Sequence, residues 1–146
     1  MSELANDNTA APTSIMSHVS IGTNDMARST AFYDAVMEAL GYGRVMEHGE
    51  FAVAYGTAFP EFWVQAPHDK KPAGTPSNGT HFAFLATTKD AVDAFHAAAL
   101  AHGGTCDGPP GFRPEYGEPY YGAFVCDPDG HKIEAMIWDR PMTGDG

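Results

Sequence analysis

Near its C-terminal end the chain carries the sequence YYGAFVCDPDGHKIEAMIW, residues 120–138. The outer runs, 120–126 and 132–138, are strand-like, and the proline, aspartates and glycine between them favour a tight turn, so the segment predicts a β-hairpin. Because successive side chains of a strand point to opposite faces, Glu134 lies on the face opposite the isoleucines of its strand. Such a carboxylate belongs either to an exposed sheet face or to a cleft, and the hairpin alone leaves both possibilities open.

An internal repeat relates the two halves of the chain. An offset of 63 residues superposes two segments without a gap, and each segment begins with a strand and continues with a helix. In both strands the histidine lies opposite the larger apolar residues, which are expected to pack on the helix. The matched positions include His18 with His81, Phe32 with Phe95 and Gly41 with Gly104.

Capping residues and apolar spacing predict one helix in each copy. Their boundaries follow from polar N-cap residues and from glycines that end a helix. The first helix has Asn24 or Asp25 as its N-cap and ends at Gly41, and the second has Thr87 or Thr88 as its N-cap and ends at Gly103-Gly104.

The predicted fold class is α+β, with two tandem β-α-β-β-β modules whose curved mixed sheets surround a cleft and carry their helices on the outer face. A stretch rich in proline and glycine, residues 108–119, interrupts the second copy and is a candidate lid over the cleft. Short strands follow each helix, at 44–48, 51–55 and 61–66 in the first copy and at 105–107, 120–126 and 132–138 in the second.

A chain of 146 residues suits one domain with a core of its own. We expect that domain to span residues 16–139, with modules at 16–66 and 80–139. The linker at 67–79 is rich in proline, glycine and lysine. Residues 1–15 are predicted to form a flexible arm, and residues 140–146 a tail.

The charge balance excludes some classes of partner. With 19 acidic and 8 basic residues the formal net charge is -11, which argues against nucleic acid and against anionic membrane surfaces. No run is apolar enough for a membrane span, and the opening segment has no secretory pattern, so we expect a cytoplasmic protein. A small molecule is the expected partner.

Three side chains are candidates for one cleft. The repeat places His18 and His81 on equivalent sheet faces, and Glu134 lies on the corresponding face of the last strand. Two imidazoles and one carboxylate can hold a divalent transition metal while leaving positions open for substrate and water. The other five histidines lack this support and are assigned to the surface or to helices.

These features together resemble the vicinal oxygen chelate superfamily, which includes glyoxalase I, extradiol dioxygenases and bleomycin resistance proteins. The resemblance spans residues 17–138 and rests on the strands that open each copy, the RSTAFY helix of residues 28–33, and the DPDGH turn that leads to Glu134. It is strongest toward small proteins similar to lactoylglutathione lyase. It implies metal ligands at His18, at the fourth strand of the first module, at His81 and at Glu134, with zinc, nickel, iron or manganese as the metal, or none.

The fourth-strand position departs from glyoxalase I, which has a glutamate there. The strand reads EFWVQ over residues 61–65, so the position belongs either to Trp63 or to Gln65. Trp63 cannot bind a metal, and Gln65 is a weak candidate ligand through its side-chain carbonyl. A site with three protein ligands is therefore expected.

Four further residues are candidates for substrate binding. Trp63, Tyr116 and Tyr120 are aromatic, and Tyr116 belongs to the predicted lid. Arg113 is the one cation in that loop and could clamp a substrate carboxylate with two hydrogen bonds.

The favoured function is that of a metal-dependent lyase or isomerase of the glyoxalase type, acting on a small substrate with vicinal oxygens, with Glu134 as the catalytic group. One alternative is an Fe(II)-dependent extradiol dioxygenase, since two histidines and one carboxylate match the facial triad of such enzymes. A second alternative is a metal-free binding protein similar to the bleomycin resistance proteins, with an acidic aromatic cavity for a cationic ligand. The resemblance also implies a homodimer.

Overall fold

The structure, a computed structural model, describes residues 14–138. The predicted tail and all but the last two residues of the predicted arm lie outside this range. The first module comprises β1 (Val19–Gly22), α1 (Met26–Leu40), β2 (Gly43–His48), β3 (Ala52–Gly56) and β4 (Phe62–Gln65). The second comprises β5 (His81–Leu85), α2 (Lys89–Ala101), β6 (Thr105–Phe112), β7 (Tyr120–Cys126) and β8 (Lys132–Trp138).

Each module forms a four-stranded mixed sheet, and the two sheets have the same strand order. In the first sheet the order is β1-β4-β3-β2, and in the second it is β5-β8-β7-β6. The first strand of each module pairs in parallel with the last one, whereas the remaining pairs are antiparallel. The predicted fold class of two tandem β-α-β-β-β modules is confirmed.

The helix ends follow from the expected capping residues. Asp25 accepts a hydrogen bond from the backbone N–H of Arg28, and Gly41 ends α1 with φ of 89°. Thr88 accepts a hydrogen bond from the backbone N–H of Ala91, and α2 ends at Ala101. No helix within residues 14–138 has the length and apolarity needed to span a membrane.

One continuous core joins the modules, because the two helices pack on each other and on one apolar face of each sheet. Tyr33 of α1 and Phe82 and Phe84 of β5 all contact the ring of Phe62 on β4. Burial of such aromatic side chains contributes a large part of the stabilisation of a small domain. The faces of the sheets that point away from the helices are therefore free to carry a site.

The predicted lid is largely part of a strand. The structure extends β6 to Phe112, so that Gly108 and both prolines of the following pair belong to the sheet. The pairing with β7 shifts register on either side of Gly108, and β6 is an edge strand, where a proline leaves no ladder hydrogen bond unmade. A loop remains only at residues 113–119, with a short 3-10 turn at Pro114–Tyr116.

The turn of the β7–β8 hairpin is bound to the first module. Asp127 is buried and accepts a hydrogen bond of 2.7 Å from the Tyr33 hydroxyl, while Asp129 accepts one from Thr23 and pairs with Arg28 at 2.5 Å. His131 Nε2 lies 2.9 Å from the carbonyl oxygen of Gly22 at the end of β1. These polar contacts fix how β8 sits relative to the first module, and His131 is a contact residue between modules rather than the surface residue expected from the sequence.

Candidate functional site

Glu134 lies on the face of the second sheet that points away from the helices. It pairs with Phe124 on one side and with Ala83 on the other, in the middle of the sheet. Its side chain is nevertheless buried, with 2% of the residue exposed. A carboxylate buried to this extent requires polar partners, because an unpaired buried charge is strongly destabilising.

Two side chains provide those partners. His81 Nε2 lies 3.2 Å from Glu134 Oε1, and the Tyr120 hydroxyl donates a hydrogen bond to Glu134 Oε2. Burial and the adjacent Glu134 carboxylate raise the pKa of Tyr120 well above its usual value, so the phenol remains a proton donor at neutral pH. The three residues form one hydrogen-bonded cluster, although Tyr120 is 14 and His81 is 53 residues away from Glu134.

Gly122 makes room for this cluster. A Cβ atom at that position would lie 3.3 Å from Glu134 Oε2 and 3.3 Å from a ring carbon of Tyr120, which is tighter than most Cβ contacts and would require these groups to shift. The absence of a side chain therefore lets the carboxylate and the phenol meet over β7. Sequence analysis did not single out Gly122, because one glycine in a strand carries no signal of its own.

Arg113 and Tyr116, two of the candidates for substrate binding, lie beside the cluster. Tyr116 packs edge-on against Tyr120, with ring centroids 5.3 Å apart. The Arg113 guanidinium lies 5.5 Å from the centre of the Phe124 ring and donates a 2.6 Å hydrogen bond to the carbonyl of Pro109. Arg113 is thus held over the same sheet face, with part of its donor capacity used by the backbone of β6.

His18 does not form a ligand cluster with His81 and Glu134 within one protomer. It borders a cavity of about 390 Å³ that is also lined by Phe82, Phe84 and Leu85 of β5. Across residues 14–138, the cluster of three or more potential metal ligands with all donor atoms within 4.8 Å is Asp127, Asp129 and His131. The structure therefore brings two of the three predicted ligands together and leaves the third on the other sheet.

The strand register decides which residue occupies the fourth position. In the second module Glu134 pairs with Ala83, two residues after His81. In the first module the residue two positions after His18 is Ser20, and its partner is Trp63. Trp63 is therefore the counterpart of Glu134, while Gln65 lies two pairs further along and pairs with Gly22. The position that could hold a fourth ligand carries an indole.

Trp63 forms the floor of a large groove on the first sheet. Its ring stacks on that of His48, with centroids 5.4 Å apart and an angle of 6° between the planes. The groove has a volume of about 1260 Å³ and is bordered by His18, Gln65 and His68. His48 and His68, which the sequence assigned to the surface, therefore line this groove.

The cluster of Asp127, Asp129 and His131 is already satisfied by protein groups. Asp127 accepts hydrogen bonds from Tyr33 and from two backbone N–H groups of its own turn. Asp129 uses both oxygens for Thr23 and Arg28. These donor atoms hold the two modules together, and their existing partners account for the cluster without an ion.

Residues 15–135 match the family described as the Glyoxalase/Bleomycin resistance protein/Dioxygenase superfamily. The chain belongs to this superfamily. A glyoxalase/bleomycin resistance protein from Albidiferax ferrireducens T118 is 40% identical, with a TM-score of 0.77, and the match covers 85% of this chain and 99% of that one. Among curated proteins, none matches the sequence.

Two more distant structures share the fold of this superfamily member. A lactoylglutathione lyase from Agrobacterium tumefaciens is 20% identical, with a TM-score of 0.60 over 89% of this chain and 97% of that one. A family enzyme from Burkholderia phytofirmans PsJN is 21% identical, with a TM-score of 0.63 over 86% and 99% of the two chains. The predicted family resemblance is confirmed.

Proposed function

We propose that this chain is a metal-dependent lyase or isomerase of the glyoxalase type, which moves a proton on a small substrate with vicinal oxygens. The observation that carries the proposal is the buried Glu134 carboxylate, held between His81 and Tyr120 on the sheet face that points away from the helices. A carboxylate fixed beside a phenol can accept a proton from carbon while the phenol donates to a substrate oxygen.

The donor pair on the second sheet fits a transition metal. Ligands that bind one ion at about 2.1 Å lie roughly 3.0 to 3.4 Å apart in tetrahedral or octahedral geometry. The distance of 3.2 Å between His81 Nε2 and Glu134 Oε1 falls within this range. A bound divalent ion would polarise a substrate carbonyl at this pair and so acidify the neighbouring C–H.

We propose that the third ligand comes from a second copy of the chain. His18 borders the groove on the first sheet, and within residues 14–138 it forms no ligand cluster with His81 and Glu134 of the same protomer. A homodimer in which the first sheet of one protomer faces the second sheet of the other would bring the partner subunit's His18 to this pair. Apolar side chains exposed on these faces, including Phe51 at 69% and Leu85 at 65%, are consistent with such a contact.

In this arrangement each side chain has a distinct role. Glu134 takes the proton from the carbon next to the carbonyl and returns it to the neighbouring carbon. Tyr120 donates to Glu134 or to the substrate oxygen, and Tyr116 packs against Tyr120 and limits the access of water. Arg113 provides positive charge on the same face for an anionic substrate group.

Hemithioacetal turnover by purified protein, with and without added divalent metal, tests the proposal. We expect metal-dependent turnover that Glu134→Gln abolishes and that Tyr120→Phe lowers by about 10- to 100-fold. Glu38→Gln, which makes the same change of charge on the outer surface of α1, should leave the rate unchanged. Turnover that is equal in Glu134→Gln and in the wild type contradicts the proposal.

The indole at the fourth ligand position favours Fe(II)-dependent dioxygenation as a second candidate. With Trp63 opposite Ser20, the available set is two histidines and one carboxylate, which matches the facial triad of oxygenases. Anaerobic loading with Fe(II), followed by oxygen uptake with catechols, distinguishes the two reactions. Binding of ligands without turnover in either assay would instead identify a binding protein.

A further inference from the structure

The groove on the first sheet has a charge opposite to that of the whole chain. Although the chain has 19 acidic and 8 basic residues, the residues of the described range 14–138 that border the groove include no aspartate or glutamate. Lys70 and Lys71 both border it, together with His18, His48 and His68. The positive charge of this groove attracts anions, whereas the acidic remainder of the protein surface repels them.

The two lysines are available for a ligand. Of the seven lysines and arginines within residues 14–138, three form ion pairs with aspartates: Arg28 pairs with Asp129, Arg44 with Asp34 and Lys132 with Asp107. Among residues 14–138, neither Lys70 nor Lys71 forms an ion pair. Their ammonium groups can therefore neutralise a ligand carboxylate at the rim of the groove.

The rest of the lining is aromatic and flat. Trp63 and His48 are stacked nearly parallel, and Phe51 and Phe59 border the same groove with 69% and 40% of their surfaces exposed. Planar side chains of this kind bind planar ligands through offset stacking and edge contacts. The volume of about 1260 Å³ accommodates more than one ring.

We infer that this groove binds an aromatic carboxylate of one or two fused rings, with the ring system against Trp63 and the carboxylate toward Lys70 and Lys71. The inference rests on the proposed function in one respect, namely that the groove is the substrate side of the shared site. It adds the chemical class of the substrate. The acidic cavity for a cationic ligand, expected for a binding protein, does not match this groove.

Isothermal titration of the full chain with 2-naphthoate tests the inference, and EDTA in the buffer separates binding from metal chemistry. We expect saturable binding that is at least about tenfold weaker for neutral 2-naphthamide, since the amide has the same shape and lacks the charge. The fully saturated decalin-2-carboxylate keeps the charge and lacks the flat ring, and it should also bind at least about fivefold more weakly. Equal affinity for naphthoate and naphthamide overturns the inference.

Matched variants assign the binding to this groove. Lys70→Gln combined with Lys71→Gln should weaken naphthoate binding by about fivefold or more, and Trp63→Leu by a similar factor, whereas Lys89→Gln on α2 should leave it unchanged. An equal loss in Lys89→Gln and in the double variant overturns the inference, because the effect would then follow net charge alone.

The outcome is separable from that of the proposed reaction. In one outcome, Glu134→Gln leaves both naphthoate binding and turnover unchanged. That result supports the inferred ligand of the groove and contradicts the proposed reaction. Turnover that depends on Glu134, without any preference for naphthoate over naphthamide, supports the reaction and overturns the inference about the substrate.

Discussion

Trp63 on β4 occupies the register position that Glu134 occupies on β8. Each lies opposite the residue two places after the histidine of its module, Ser20 in the first sheet and Ala83 in the second. The two modules thus have equivalent strand pairing at this position but side chains of different chemical character. One half carries a buried carboxylate, and the other carries an indole that forms the floor of a groove.

Trp63→Glu should restore the missing ligand. If the groove and the pair of His81 and Glu134 form one site, a second carboxylate raises the affinity for a divalent transition metal by at least about tenfold, since it adds an anionic donor. Competition with a metal-binding dye measures this change. Trp63→Gln is the control, because glutamine has the size of glutamate without its charge. If Trp63→Gln raises the metal affinity as much as Trp63→Glu does, the assignment of Trp63 to the fourth ligand position is contradicted.

Gly122→Ala should lower turnover, and its unfolding midpoint should be measured in parallel because the new Cβ atom would also lie 3.3 Å from the backbone oxygen of Ala135. The new Cβ atom would lie 3.3 Å from Glu134 Oε2 and from the Tyr120 ring, so the carboxylate and the phenol must move by a few tenths of an ångström. A displacement of catalytic groups of this order lowers the rate by about tenfold or more. Gly43→Ala, which meets nothing within 4 Å, is the matched control and should retain full activity.

Tyr33→Phe should destabilise the protein in a manner that depends on pH. The Tyr33 hydroxyl is the side-chain donor to buried Asp127, and losing it costs about 1 to 3 kcal/mol when the carboxylate is charged. Burial raises the pKa of Asp127 despite the hydrogen bonds from Tyr33 and the turn. Asp127 therefore stays protonated to a higher pH in the folded state than in the unfolded state. The free energy of unfolding consequently falls as the pH rises from the ordinary pKa of an aspartate through the raised pKa of Asp127.

Removing the Tyr33 hydroxyl raises the Asp127 pKa further, so the loss in Tyr33→Phe is expected to be larger at pH 7 than at pH 4. Urea unfolding at the two pH values measures the difference. Tyr42→Phe removes a hydroxyl that donates to the carbonyl of Leu85 and should cost less, by an amount independent of this carboxylate. If Tyr33→Phe lowers the free energy of unfolding by the same amount at both pH values, the Tyr33 hydroxyl does not affect the pKa of Asp127.

The sequence predicts the fold well because the signals repeat. The 63-residue offset, the N-caps at Asp25 and Thr88 and the turn before β8 each agree with the others, and the structure has these elements in the predicted order. The extension of β6 through Gly108 was missed, since glycine and proline normally end a strand and only the edge position tolerates them here.

The candidate site is less accessible to sequence analysis. Strand alternation places Glu134 and His81 on one face, but it cannot show that Tyr120 also reaches Glu134, because that contact depends on the space left by Gly122. Alternation likewise leaves Trp63 and Gln65 equivalent, and only the parallel pairing of β1 with β4 separates them. The charge of the groove depends on a loop, residues 66–72, whose path no local pattern predicts.

A mixture of two inactive variants tests the shared site most directly. His18→Ala keeps Glu134, and Glu134→Gln keeps His18, so a mixed dimer has one site with every ligand present. With random exchange of subunits, refolding an equal mixture should restore about a quarter of the turnover of the wild type, although neither variant alone is active. If His18, His81 and Glu134 of the same protomer formed the site, the mixture would remain as inactive as its components.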